Sequence, residues 1–292
     1  MLRRSFLLVL FVLLLAACGS GTGGGDSASP TTTMPVAQGP ERIVSLSPTA
    51  TEMLFAIGAG KQVVAVDDQS NHPANAPHTK LSGYEPNVEA IAGYDPDLVV
   101  ASGDPGGLVD GLEKLNIDVL IQEAPQNLDG AYDEIEELGD LTGHQQQAHA
   151  VVTRMRGQIA QLVDQASAAT GLSVFHELGP DYYSATSKTF IGSIYEELGA
   201  KNIADGAGKK APDYPQLSAE YIVKSNPDLI VLSDTKCCGQ TLEKVAARPG
   251  WKKIDAVADG DVVEADDDIA SRWGPRIVEF VRIVSEAMAG AS

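Results

Sequence analysis

Ala219-Glu220-Tyr221-Ile222, followed by Asn226-Pro227-Asp228-Leu229-Ile230-Val231-Leu232-Ser233, repeats an earlier stretch of the chain. That stretch is Val88-Glu89-Ala90-Ile91, followed by Asp95-Pro96-Asp97-Leu98-Val99-Val100-Ala101-Ser102. In both, the aspartate of Pro-Asp stands eight residues after the glutamate. Each copy reads as a short helix that breaks ahead of proline and feeds a strand buried on both faces. Copies so far apart imply two related lobes, not the short period of a solenoid.

The residues outside the repeat extend the same pattern. Arg42-Ile43-Val44-Ser45-Leu46 reads as a buried strand, and Ser47-Pro48-Thr49-Ala50-Thr51-Glu52 as the capped start of a helix running to Ile57. Gly58-Ala59-Gly60 ends that helix and Val63 to Val66 gives the next strand. Strand and helix alternate in this way along the body, which predicts an α/β fold with mostly parallel sheets. Between the two copies, Gly143 to Ala169 contains no proline and carries Ala150, Val151, Met155, Ile159, Leu162 and Val163 near helical spacing. It predicts one long helix crossing from lobe to lobe. The organisation expected is a first lobe over 41–142, a linking helix over 143–169 and a second lobe over 170–292. The second lobe opens at Leu172-Ser173-Val174-Phe175 and closes with an amphipathic helix from Pro275 to Ala289.

The amino terminus reads as an export signal, residues 1–17. Arg3 and Arg4 precede an apolar run from Phe6 to Ala17 that is short for a membrane span and right for a signal core. The run ends in Leu15-Ala16-Ala17-Cys18, which looks like a bacterial lipobox, so Cys18 is the expected lipidation site and the cell membrane, on its outer side, the expected location. Residues 18–40, rich in Gly, Ser, Thr and Pro, have almost nothing to bury and predict a flexible tether. The whole chain carries a net charge of -19, which argues against a nucleic-acid partner. Beyond Cys18 the cysteines are Cys237 and Cys238, adjacent to each other. Outside the cytoplasm they form either a vicinal or intermolecular disulfide or a pair of inert thiols.

Catalytic signatures are missing or out of context. Gly58-Ala59-Gly60 follows a helix where a dinucleotide fingerprint follows a strand, and Gly206-Ala207-Gly208-Lys209-Lys210 lacks the remaining parts of a phosphate loop. There is no G-x-S-x-G. The five histidines, 72, 78, 144, 149 and 176, show no ligand spacing, so neither a metal site nor a resident cofactor is expected. The chain does not read as an enzyme.

Arg42 to Leu54, Gly83-Tyr84-Glu85-Pro86-Asn87-Val88-Glu89, Tyr214-Pro215-Gln216-Leu217-Ser218-Ala219-Glu220 and Trp273-Gly274-Pro275-Arg276-Ile277 together carry a resemblance. They are similar to the periplasmic-binding proteins for vitamin B12 and ferric siderophores, over about residues 41 to 288. The resemblance implies two Rossmann-like lobes joined by a single long helix, with a ligand cleft between them. It implies a substrate-binding lipoprotein of an ABC importer that captures cobalamin or a ferric siderophore and acts as a monomer. It also implies docking on the permease through one surface glutamate per lobe, and Glu89 and Glu220 fall on those positions. Strand-to-helix loops should line the cleft, which nominates Tyr84 in the first lobe and Tyr182, Tyr183, Tyr214 and Trp273 in the second, with Arg272 as a contact for an anionic chelate. Tyr84 and Tyr214 stand where cobalamin binders carry tryptophan. The competing reading is a cell-envelope interaction lipoprotein that keeps the fold without transport.

Overall fold

A computed structural model describes residues 39–208 and 210–291. The signal segment, Cys18 and most of the expected tether lie outside the described residues. The first half of the body runs β1 (Ile43–Leu46), α1 (Pro48–Ala56), β2 (Val63–Val66), α2 (Val88–Ala92), β3 (Leu98–Ala101), α3 (Leu108–Glu113) and β4 (Asp118–Ile121). Its strands are all parallel, in the order β2-β1-β3-β4. Two helices follow, α4 (Leu128–Thr142) and α5 (Gln145–Ala166). The second half begins with β5 (Ser173–Glu177), α6 (Phe190–Glu197), β6 (Lys201–Asn202), α7 (Ala219–Ser225) and β7 (Leu229–Leu232). It continues through α8 (Thr235–Cys238), α9 (Leu242–Ala246), α10 (Asp255–Asp259), β8 (Val262–Glu264), α11 (Asp267–Ser271) and α12 (Ile277–Gly290). Its sheet is also parallel, in the order β6-β5-β7-β8, which is the order of the first sheet counted from its own start.

The sequence repeat now has a structural reason. Asn226, the C-cap of α7, and Asp95, just past the end of α2, both have positive φ, 48° and 50°, which turns the chain just ahead of proline. The Asp97 carboxylate then accepts the backbone N–H groups of Glu41 and Arg42, at 2.8 and 3.0 Å. The Asp228 carboxylate accepts the backbone N–H and the hydroxyl of Ser173, both at 2.7 Å. In each lobe, then, the Pro-Asp aspartate fastens the third strand to the start of the first.

Residues along the strands alternate between two cores, as the pleat requires. Ile43, Leu98, Val100, Val174, Leu229 and Val231 face a central core shared by both lobes. That core runs from Met53 and Leu54 through Ile135, Met155 and Ile159 to Tyr195 and Phe280. The opposite faces are separate. Val44, Leu46, Val99 and Ala101 meet an aliphatic layer in the first lobe, and Phe175, Ile230 and Leu232 pack around Trp251 in the second. Helix α5, 22 residues long, lies between α4 and α12 in the shared core. Its buried stripe is Ala148, Val151, Val152, Met155, Ile159, Leu162 and Ala166. Ala150, expected on that stripe, is exposed; packing between two helices sets the stripe's edge one helical step away. No helix among the described residues is long and apolar enough to cross a membrane.

Candidate functional site

In each sheet the chain leaves the first strand for one neighbour and returns to pair with its other side, between β1 and β3 and between β5 and β7. The carboxyl ends of parallel strands at such a reversal are where ligands of open α/β sheets sit. The loops at these ends hold most of the residues nominated from the sequence.

Tyr84 lies in the loop that enters α2 and is 82% exposed. The loop is braced around it. The Ser82 hydroxyl accepts the N–H groups of Tyr84 and Glu85, at 3.2 and 3.0 Å. At Gly83 a Cβ would stand 2.5 Å from the Leu46 carbonyl oxygen, so only glycine lets the loop cross the end of β1 this closely. Across the molecule, residues 182–186 and 213–217 form a short antiparallel ribbon. Ser184 N–H donates to Pro215 O, Thr186 N–H to Asp213 O and Leu217 N–H to Tyr182 O, while Tyr183 bridges Gln216. In that register Tyr183 and Tyr214 are diagonal neighbours on one face, and each is 47% exposed. Partial burial, with Asp213 beside it, raises the Tyr214 phenol above its ordinary range.

The other nominated residues are occupied elsewhere. Tyr182, at a positive φ of 67°, stacks on Trp251 with ring centroids 5.5 Å apart, and the Arg248 guanidinium lies 5.2 Å from its ring. Arg272 is buried and donates to Glu52 (2.9 Å), Asn71 (2.8 Å), the Gln69 carbonyl (3.1 Å) and Asp268 (2.8 Å). Arg276 adds two further bonds to the same Glu52, which is 3% exposed. Together these residues tie α1 and the loop after β2 to the segment after β8. Trp273 makes a second tie, its indole N–H donating to Glu134 on α4 at 2.7 Å. Burial nevertheless raises the Glu134 carboxyl to about 7, with Glu137 nearby pushing the same way.

Glu89 and Glu220 are both exposed, each in the first turn of its short helix, with Asn87 and Ser218 as the respective caps. Cys237 and Cys238, exposed on α8 just past β7, are joined to each other as a disulfide. A cavity of 680 Å³ opens between α4, α5 and α6, lined by Asn127, Asp129, Tyr132, Arg156, Ser193 and Glu197 among others. It is bounded by none of the exposed tyrosines, and its one arginine is held by Asp129 at 2.7 Å.

Sequence reading missed the charged cluster at the mouth of the second lobe. Glu177, fully buried at the end of β5, receives both terminal nitrogens of Arg248 at 2.6 Å. Asp234, also fully buried, has no hydrogen-bond partner for either carboxylate oxygen. Burial first, and the Glu177 charge second, raise its carboxyl to about 7. The available signal was Phe175-His176-Glu177, two ionisable residues ending an otherwise apolar strand. Among the described residues no group of three or more His, Cys, Asp or Glu is placed to hold a metal ion.

Comparison with known proteins agrees with this architecture. The chain is 30% identical to an uncharacterised ABC transporter substrate-binding lipoprotein, YvrC, of Bacillus subtilis, covering 96% of this chain and 95% of that one. It is 33% identical to a cobalamin-binding protein of Halobacterium salinarum, covering 82% of this chain and 67% of the other. A Staphylococcus epidermidis structure, described as a possible iron-binding periplasmic solute-binding protein, superposes with a TM-score of 0.74 at 27% identity, covering 86% of this chain and 99% of that one. These relatives are named for binding, not for catalysis. Residues 43–269 match the family described as periplasmic binding protein, and the chain belongs to that family.

Proposed function

We propose that the chain is the substrate-binding lipoprotein of an ABC importer, anchored through Cys18 on the outer side of the cell membrane and acting as a monomer. It holds a cobalamin or a ferric siderophore between its lobes and presents it to the permease. The observation that carries this reading is the trio Tyr84, Tyr183 and Tyr214. These large aromatic side chains stand exposed on loops at the carboxyl ends of the sheets. Aromatic faces grip a large, partly apolar ring, and phenol hydroxyls bond its polar edges. Arg272, Trp273 and Tyr182 act one step back, holding the walls from which the three tyrosines project.

Cobalamin is favoured over a strongly anionic chelate. Arg248, Arg272 and Arg276, the guanidiniums nearest the strand ends, are each paired with a buried glutamate. A polyanionic ferric complex would have to compete with those carboxylates for them. Glu89 and Glu220, one exposed acid on each lobe, suit docking on a basic permease surface, where charge steers encounter and fixes orientation. Calorimetric titration of the full chain with cobalamin, a ferric hydroxamate siderophore and a ferric porphyrin tests the reading. One-to-one binding of cobalamin, weakened about tenfold by Tyr84→Ala or Tyr214→Ala, is expected. Binding of none of the three would overturn it in favour of an envelope interaction protein. Replacing both Glu89 and Glu220 with arginine should abolish uptake and leave cargo affinity unchanged.

A further inference from the structure

The turn that follows β7, at the chain reversal of the second lobe, contains the disulfide between Cys237 and Cys238, and nothing in the proposed cargo site uses it. Its neighbours are specific. The backbone N–H groups of Lys236 and Cys237 donate to the two oxygens of Asp267, at 2.9 and 2.8 Å, and the Thr235 hydroxyl donates to the same carboxylate at 3.0 Å. Lys236 Nζ donates to Asp268 at 2.6 Å. Asp268 in turn accepts Arg272 at 2.8 Å and, from the first lobe, the Asn71 side-chain amide at 2.8 Å. Arg272 continues the chain to Glu52 and the Gln69 carbonyl. An unbroken run of hydrogen bonds thus leads from the disulfide turn to the tie between the lobes.

Bonding adjacent cysteines closes a small ring that includes their peptide unit, and this restricts the turn on which Asp267 and Lys236 are held. Opening the ring frees that backbone. Both sulfur-bearing residues are exposed, so an attacking thiolate can reach them. Asp266 and Asp268 are paired with Lys236, Asp268 also with Arg272, and Asp267 accepts three hydrogen bonds from the turn. A dithiol is the suitable reductant class because its second thiol completes the exchange within one molecule. We propose that Cys237–Cys238 is a thiol-exchange site for dithiol reductants, and that its redox state sets how firmly the two lobes are tied.

The exchange balances without any further reactant. One thiolate of the dithiol attacks a cysteine sulfur, the protein S–S bond breaks as a mixed disulfide forms, and the departing cysteine thiolate takes up a proton. The second thiol of the reductant then attacks the first one's sulfur, the mixed disulfide breaks, and the second protein cysteine departs as a thiolate that takes up a proton. Two cysteine thiols remain, and the reductant leaves as its cyclic disulfide, having given up two electrons and two protons.

The test uses the full chain with no cargo and no permease, so its outcome does not depend on the cargo assigned above. Free thiols are alkylated at cell lysis and counted by mass spectrometry. Amide hydrogen exchange is then followed with dithiothreitol in its oxidised and reduced forms. The expectation is that both cysteines escape alkylation. Reduction should then quicken exchange about tenfold at Lys236 and Cys237, and about threefold in 266–272 and 68–72. The double variant Cys237→Ser, Cys238→Ser should show the reduced pattern in either buffer. Lys236→Met should loosen 266–272 and 68–72 with the disulfide intact. Two alkylated cysteines at lysis, or faster exchange confined to 234–239, would overturn the proposal.

Discussion

The two lobes share a frame and differ at their mouths. Strand order, the positive-φ residue before proline and the aspartate that fastens third strand to first are the same in both. At the carboxyl ends, however, the first lobe joins Thr51, Ser45, Ser70 and Asp67 in a chain of buried hydrogen bonds at 2.5 to 2.9 Å, mostly between hydroxyls. The second lobe places Glu177, Arg248 and Asp234 there instead, with a bidentate ion pair and an unpartnered carboxylate. The features kept in both copies are those that turn the chain into the third strand and fasten that strand to the first. The strand ends differ, and the second lobe carries there a buried carboxylate with no hydrogen-bond partner.

The largest expected effect tests that difference directly. Removing Arg248 leaves the fully buried Glu177 charge without its partner, beside a second buried carboxyl. Arg248→Ala should cost about 3–5 kcal/mol, read from the midpoint of urea unfolding. In the first lobe Thr51→Val removes a neutral link and should cost about 1 kcal/mol. Equal losses would mean that the two mouths are energetically alike and the contrast is one of appearance only.

The contrast also predicts opposite pH dependences within the second lobe. His176 is fully buried, contacts the hydroxyls of Tyr195 (2.6 Å) and Ser233 (3.0 Å), and burial lowers its pKa from 6.5 to about 3. Below pH 6.5 the unfolded chain protonates at this position and the folded chain does not, so this contribution is complete above 6.5 and is lost on acidification. Relative to a His176→Gln variant, the wild type should lose about 1.4 kcal/mol per pH unit between 6.5 and 4. Asp234 behaves in the opposite sense. Its folded pKa, about 7, stands above the ordinary value of 3.8, so this contribution is complete below 3.8, is lost as pH rises from there to 7, and changes no further above 7. Relative to Asp234→Asn, the wild type should weaken as pH rises. A difference curve flat with pH for either variant would remove that group from the account.

The part of the molecule legible in its sequence follows the same division. The Pro-Asp repeat predicted two parallel α/β lobes because Asp97 and Asp228 act within a few residues of their own strands and therefore leave a local signature. Tyr84, Tyr183 and Tyr214 could be assigned to strand-end loops because such loops can be placed once the strands are known, and all three stand exposed there. Arg272 was nominated for cargo, yet its partners Glu52, Gln69 and Asn71 stand about two hundred positions away in the chain. No local pattern shows that such an arginine is already paired. The Glu177–Arg248 pair was missed for the same reason, being closed only when β5 and the segment after α9 come together.

The smaller effects sharpen the shared part of the comparison. If Asp97 and Asp228 perform one task in two places, Asp97→Ala and Asp228→Ala should each cost about 1–2 kcal/mol, and the two losses should agree within about 0.5 kcal/mol. Both carboxylates accept two hydrogen bonds and both brace the edge of a first strand, so a large inequality would mean that one lobe has found another brace. Tyr84→Ala sets the lower bound. The ring is mostly solvated, and its removal should change stability by no more than about 0.5 kcal/mol while weakening cargo binding about tenfold. A substantial loss of stability there would mean that Tyr84 packs in solution against a surface of its own chain, and the first lobe's wall would then have to be rebuilt without it.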